Sequence, residues 1–288
     1  NDTSNALKFQ YPNTTTSGSW ATGGNLNTAR TNISGAGTIP AFVAFGGQSG
    51  ATVYAQTELY NGSAWTEVND LNTGRYALGG NGTQTSALAF GGTPPATAAT
   101  ELWNGTNWTE VNDLNTARAY VDGAGADNTS ALAIGGDPAT AATELWNGTN
   151  WTEVNDLTTA RAQMGAAGIA TAALAFGGYP ITGKTESWNG SNWTEVNDLN
   201  TGRSDPGGAG TNTAALAFGG YNGTARVAVT EVWNGTNWTE DGDLSTARNG
   251  LAGDGDTNTS ALAVGGEGPP VTAATESFTG SGQPIGAW

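Results

Sequence analysis

One phrase recurs six times along the chain and limits what it can become. Aligned on Trp-Thr-Glu-Val-Asn-Asp-Leu-Asn-Thr-Ala-Arg, it places Trp20, Trp65, Trp108, Trp151, Trp193 and Trp238 at spacings of 45, 43, 43, 42 and 45 residues. Ten residues after each Trp stands an arginine: Arg30, Arg75, Arg118, Arg161, Arg203 and Arg248. A double glycine recurs in phase, from Gly46-Gly47 to Gly265-Gly266, and a Thr-Glu pair supplies Glu58, Glu101, Glu144, Glu186, Glu231 and Glu276. A period of this length marks one small supersecondary unit used six times.

Each unit reads as four short strands. The first is rich in Gly and Ala, as in Gly207-Gly208-Ala209-Gly210. The second alternates, as in Ala87-Leu88-Ala89-Phe90, which puts two bulky side chains on one face and two alanines on the other. The third is Thr100-Glu101-Leu102-Trp103, and Asn104-Gly105 follows it, a dipeptide that favours positive φ in a tight hairpin turn. The fourth strand is expected from Trp108 to about Leu114. Four strands of this size cannot bury both faces alone, so six units arranged radially predict an all-β, six-bladed β-propeller. Large and small faces suit blade-on-blade packing, and a glycine-rich strand suits a crowded axis.

The units resemble the kelch repeat, and the resemblance covers nearly the whole chain. An apolar residue precedes Gly-Gly at Phe45, Phe90, Ile134, Phe176, Phe218 and Val264. An aromatic closes the third strand at Tyr60, Trp103, Trp146, Trp188, Trp233 and Phe278; a Trp opens the fourth, and an Arg precedes the next unit. The acidic residue usual after the third-strand aromatic is Asn in five units and Thr279 in the last, a departure that bears on turn geometry.

The units are permuted relative to the chain ends. Residues 18–30 supply only a fourth strand, whereas 248–280 supply the other three, so joining them closes the ring and removes open edges. Gly286-Ala287-Trp288 echoes Gly18-Ser19-Trp20 as a second candidate for closure, but only Trp20 is followed by Leu26-Asn27-Thr28-Ala29-Arg30. The expected organisation is an arm or linker over 1–17, a propeller over 18–280 and a tail over 281–288. The sole methionine is Met164, so the chain reads as processed or excised from something longer.

Composition removes whole classes of chemistry. Cys and His are both absent, which excludes thiolate nucleophiles, imidazole bases and their metal sites. No metal or cofactor is expected. A copper enzyme of the galactose-oxidase type cannot be built without histidine, and the Asp-box turns of sialidases do not occur. Nine basic residues against 25 acidic give a net charge of −16, which argues against nucleic acid and anionic lipid. No apolar run reaches the length of a membrane span.

The repeated arginines and glutamates are expected to pair inside the blades, because equivalent positions in six blades point to six places and a buried guanidinium needs a carboxylate. The repeated tryptophans are expected to pack between blades. The sequons, such as Asn104-Gly105-Thr106, follow from turn chemistry, and Asp254-Gly255-Asp256-Thr257-Asn258 reads as an acidic turn lacking the later ligands of a calcium loop. A carboxylate-pair glycosidase would have to draw on the acids that break the repeat: Asp122, Asp127, Asp137, Asp205, Asp254, Asp256 and Glu267.

Differences between copies gather where strands two and three, and successive units, are joined. Antiparallel order puts those connections at one end of every blade, where binding loops sit on a rigid scaffold. Tyr76, Tyr120, Tyr179, Asp205, Tyr221 and Arg226 are the candidate ligand-binding residues there. The expectation is a non-enzymatic binding or structural module on a virion or cell surface, contacting other structural proteins or a surface glycan. Near-identical copies rich in Asn, Thr and Gly also resemble, more loosely, kelch-like repeats of structural and tail proteins of aquatic bacteriophages. The competing readings are a lectin-like propeller and the carboxylate glycosidase.

Overall fold

The structure is a computed structural model that describes residues 17–281. The arm expected over 1–17 and the tail expected over 281–288, Trp288 included, lie outside the described residues except at positions 17 and 281. Six four-stranded antiparallel sheets account for the repeats, each ordered first strand to fourth. In the second blade the strands are Gly79–Thr83, Ser86–Phe90, Thr100–Trp103 and Trp108–Val111. The first blade adds a small hairpin, Gln48–Ser49 against Thr52–Val53. The described residues form no helix, so none is long and apolar enough to cross a membrane.

The alternation in the second strands sets the packing. Six buried apolar clusters lie one at each boundary between blades. Leu88 and Phe90 of the second blade meet Ala131 and Ala133 of the third, with Trp151 filling the space beyond. Small residues on one side let the large ones on the other reach full burial, which stabilises each boundary in proportion to the apolar area removed from water. Glycine at the end of the second strand is required by the same closeness. Gly46 has φ +67°, and a Cβ there would come within 2.6 Å of the Arg75 carbonyl oxygen of the next unit.

Ring closure follows the permuted ends. Ser19–Thr22 pairs with Thr275–Thr279 in the register Ser19 with Thr279, Trp20 with Phe278, Ala21 with Ser277 and Thr22 with Glu276. Trp20 thus opens the fourth strand of the sixth blade, and its ring packs on Phe278 and on Phe218 of the fifth.

Three circuits of hydrogen bonds then run around the molecule at different radii. In the outer one each fourth-strand indole N–H donates to the Thr that opens the third strand of the preceding blade, as Trp108 to Thr57 and Trp65 to Thr275. In the middle one each second glycine donates its N–H to the carbonyl of the next repeat arginine, ending with Gly266 on Arg30. The innermost circuit lies at the axis and is described below.

Two local expectations differ from the structure. The fourth strand of the second blade stops at Val111 rather than near Leu114, because the Asp113 carboxylate turns back to accept the Thr100 N–H. Leu114 is nonetheless buried, with its N–H on the Ala98 carbonyl. The Asn-Gly turn is a four-residue loop in which only Gly105 has positive φ. Asn104 instead accepts the N–H groups of Thr106 and Asn107 on its side-chain oxygen, the work an acidic residue would do in that place.

Candidate functional site

The six repeat arginines are buried, and each pairs with the glutamate of the blade it enters, at 2.5 to 3.2 Å. Arg161 shows the full pattern: one guanidinium nitrogen bonds the Gly177 and Lys184 carbonyls, and the other bonds Glu186. The side chain therefore holds both ends of the loop joining strands two and three. Burial pulls all six guanidinium groups below their ordinary value, and the glutamate beside each opposes that pull. These pairs rigidify the base of the loops and are closed to any ligand.

Two positions beyond each arginine, the chain enters the axis. Asn32, Ala77, Tyr120, Gln163, Asp205 and Gly250 all take positive φ, between 50° and 61°. Each donates its backbone N–H to the carbonyl of its counterpart in the preceding blade, from Asn32 on Gly250 at 2.7 Å round to Gly250 on Asp205 at 3.2 Å. The result is a closed annulus at the loop end of the axis. Left-handed backbone at five non-glycine residues is costly, and it persists here because the circuit over-determines it.

Below the annulus the glycine-rich first strands line a narrow channel of about 120 Å³. Asp122, Asp205 and Asp254 all face it, and burial pushes each carboxyl up to about 7. Hydrogen bonds oppose the shift. Asp122 accepts the N–H groups of Gly123 and Ala166, and Asp254 those of Gly37 and Gly255. Each of these two carboxylates thereby ties the innermost strand of its blade to that of the next. Asn81, 4% exposed, gives its amide N–H to the Asp127 carbonyl and leaves its oxygen unpartnered. Tyr120 is pushed up to about 12 by burial and then by Asp205. A channel of this volume holds a few waters, whereas sites for small organic ligands begin near 300 Å³.

The loop face carries a second, wider cleft of about 380 Å³ between the fourth and fifth blades. Tyr179 and Ile181 form one wall, Tyr221 and Gly223 the other, and Gln163, Ser204, Asp205 and Asn249 the floor. Tyr179 is 56% exposed and Tyr221 and Ile181 36% each; with Ile169 these are the large apolar side chains exposed among the described residues. The polar floor is braced. Arg226 pairs with Glu267 through one nitrogen and donates Nε–H to the Asn249 side-chain oxygen at 3.0 Å; the Asn249 amide donates in turn to Asp205 at 3.3 Å.

The structure distributes the candidate residues unevenly. Tyr179, Asp205 and Tyr221 meet in the cleft, with Arg226 behind it as a brace. Tyr120 stands in the annulus. Tyr76 lies elsewhere on the loop face, half-buried and paired through its backbone with Thr93. Met164, among the variable residues after the arginines, is buried core. Of the acids that break the repeat, Asp122, Asp205 and Asp254 converge on the channel; Asp127 caps a turn through Thr129, and Asp137 and Asp256 are exposed. Asp254 and Asp256 belong to a first strand, Ala252–Thr257, and no group of acids able to hold a metal ion occurs among the described residues. Gln163, Ile181 and Asn249 were not singled out as ligand-binding candidates, yet each departs from its counterparts in the other copies.

A comparison with models of protein families finds none that matches this chain, and a search of curated proteins finds no match. The sheet topology alone establishes the architecture, a six-bladed propeller of four-stranded blades, which is a scaffold for binding or structural roles.

Proposed function

We propose that the chain is a non-catalytic binding module, a structural or adhesive component displayed on a virion or cell surface, and that it engages its partner through the loop face. One observation carries the reading. Three of the four exposed large apolar side chains among the described residues lie in one cleft on the face where the copies differ most. Exposed apolar groups concentrated beside oriented polar ones mark interaction sites. In the channel Asp122 and Asp254 are already bonded to backbone N–H groups and Asp205 to the Asn249 amide, in too small a space for a substrate, which favours a structural task for them. The kelch-like repeat and its looser likeness to phage structural repeats supply the setting on a virion.

The test pairs a hydrolase screen with a binding panel of cell-envelope glycans and purified surface proteins. The expected result is no turnover, and binding that disappears in the double variant Tyr179→Ala/Tyr221→Ala. Turnover abolished by Asp122→Asn, or binding that survives the double variant, would overturn this reading.

A further inference from the structure

We infer that the cleft between the fourth and fifth blades is a binding site for a neutral pyranose, such as a hexose of a surface glycan. This rests on the loop face being the binding face and names what it takes.

The argument starts with the backbone. Tyr179 exchanges both backbone hydrogen bonds with Ala162, and Tyr221 does the same with Ser204. The strand edges along both walls are therefore used, so an extended peptide finds no ladder to join. Recognition is left to side chains. Two tyrosine rings offer flat apolar surface with polar tips, suited to the C–H faces of a sugar ring. The amides of Gln163 and Asn249 and the Asp205 carboxyl supply the donors and acceptors that hydroxyl groups require.

The walls are set before a ligand arrives. Tyr221 donates its hydroxyl to the Gly223 carbonyl at 3.1 Å, which fixes the ring on its own loop. Across the cleft Ile181 faces Gly223, where an added Cβ would lie 3.6 Å from its side chain and narrow the opening. The chain of bonds from Glu267 through Arg226 and Asn249 to Asp205 holds the floor. Pre-organisation of this kind lowers the ordering cost of binding a small ligand.

Charge selects the ligand class. All eight described lysines and arginines are engaged in ion pairs, Arg226 included, while Asp205 and Glu267 stand at or beside the cleft. A sialic acid or uronate would meet carboxylates with no unpaired cation among the described residues to receive it. A neutral hexose meets no such penalty, and a cleft of about 380 Å³ accommodates it.

The experiment is a titration of isotope-labelled protein, followed by amide shifts, with methyl glycosides of glucose, galactose and mannose, and separately with sialyllactose and methyl glucuronide. At least one neutral glycoside should bind saturably and shift residues of the cleft. Tyr179→Ala and Tyr221→Ala should each weaken it about five-fold or more, the loss of one ring contact worth about 1 kcal/mol. Ile169→Ala, at the opposite end of the fourth blade, should bind as the unaltered protein does. Binding of the anionic sugars alone, neutral binding untouched by both tyrosine variants, or no sugar binding at saturating concentration each overturns the inference. If a purified surface protein or an extended peptide binds in a manner that requires Tyr179 and Tyr221 while the glycosides do not, the loop-face reading survives and the sugar assignment falls.

Discussion

Trp20 donates its indole N–H to the Thr230 hydroxyl at 3.0 Å across 210 residues of chain. This bond belongs to the outer circuit, but the ring that makes it is half-buried, whereas its counterparts Trp108 and Trp151 are 6% and 5% exposed. Removing a large buried aromatic costs about 3–5 kcal/mol. Trp108→Ala should fall in that range, and Trp20→Ala at or below its lower end. Chemical denaturation of both variants checks the order; equal losses would mean that closure is as tightly packed as any other boundary.

The two kinds of ion pair should differ sharply. Glu186→Gln leaves the Arg161 guanidinium buried without its carboxylate and should cost about 3–5 kcal/mol. Glu195→Gln, which breaks the exposed pair with Lys184, should leave stability nearly unchanged, because water and salt screen that pair. Replacing Arg161 and Glu186 together by apolar residues should not restore stability, since the Gly177 and Lys184 carbonyls would lose their donor.

Acid should stabilise the propeller over part of its range. Asp122, Asp205 and Asp254 hold their protons to about pH 7 when folded, and the unfolded chain releases them near pH 4. The folded state thus binds more protons between those values. The stability this provides is complete below about pH 4 and is lost as pH rises toward 7, at up to about 1.4 kcal/mol per pH unit for each group. Melting temperature should therefore be higher at pH 5 than at pH 8, and Asp122→Asn/Asp254→Asn should narrow the difference. An unchanged difference in that variant would place its origin in the general surface charge.

Two glycines separate backbone strain from crowding. Gly50 has φ +58° with open space where a Cβ would go, so Gly50→Ala should cost about 1–2 kcal/mol, the penalty of left-handed backbone. Gly46→Ala adds the 2.6 Å approach to the Arg75 carbonyl oxygen and should cost clearly more. Thermal melts of the two variants measure the gap.

Most of the architecture was legible because it is periodic. Trp, Arg and Gly-Gly in phase fixed the number of blades, and the incomplete first and last units pointed to Trp20 as the closing strand. Turn geometry was less accessible. Asn104 acts through its side chain rather than its own φ, a choice that depends on the neighbours of the loop. The axis was missed for a physical reason. Equivalent residues away from the axis, such as the arginine side chains, do point to six places, but equivalent residues on the innermost path converge. Asp122 and Asp254 stand in first strands where most copies have Gly or Ala, and that replacement was the available signal. The cleft needed coordinates, since Tyr179, Tyr221 and Asn249 come from three successive repeats.

The closing strand also decides how the molecule answers a pull. Ser19 and Thr279 are partners in one rung, and the chain leaves the blade from both of them. Tension applied between residues 17 and 281 first meets two outer ties, the Gly18 N–H on the Asp241 carboxylate and the Gly280 N–H on the Thr259 carbonyl. It then falls on the Ser19–Thr279 rung, and when that parts the load passes to Trp20 and Phe278, then to Ala21 and Ser277. Rungs that break one after another resist far less than rungs sheared together. A molecule held at both of these points would open within its sixth blade while the sheets of the other five blades remained intact.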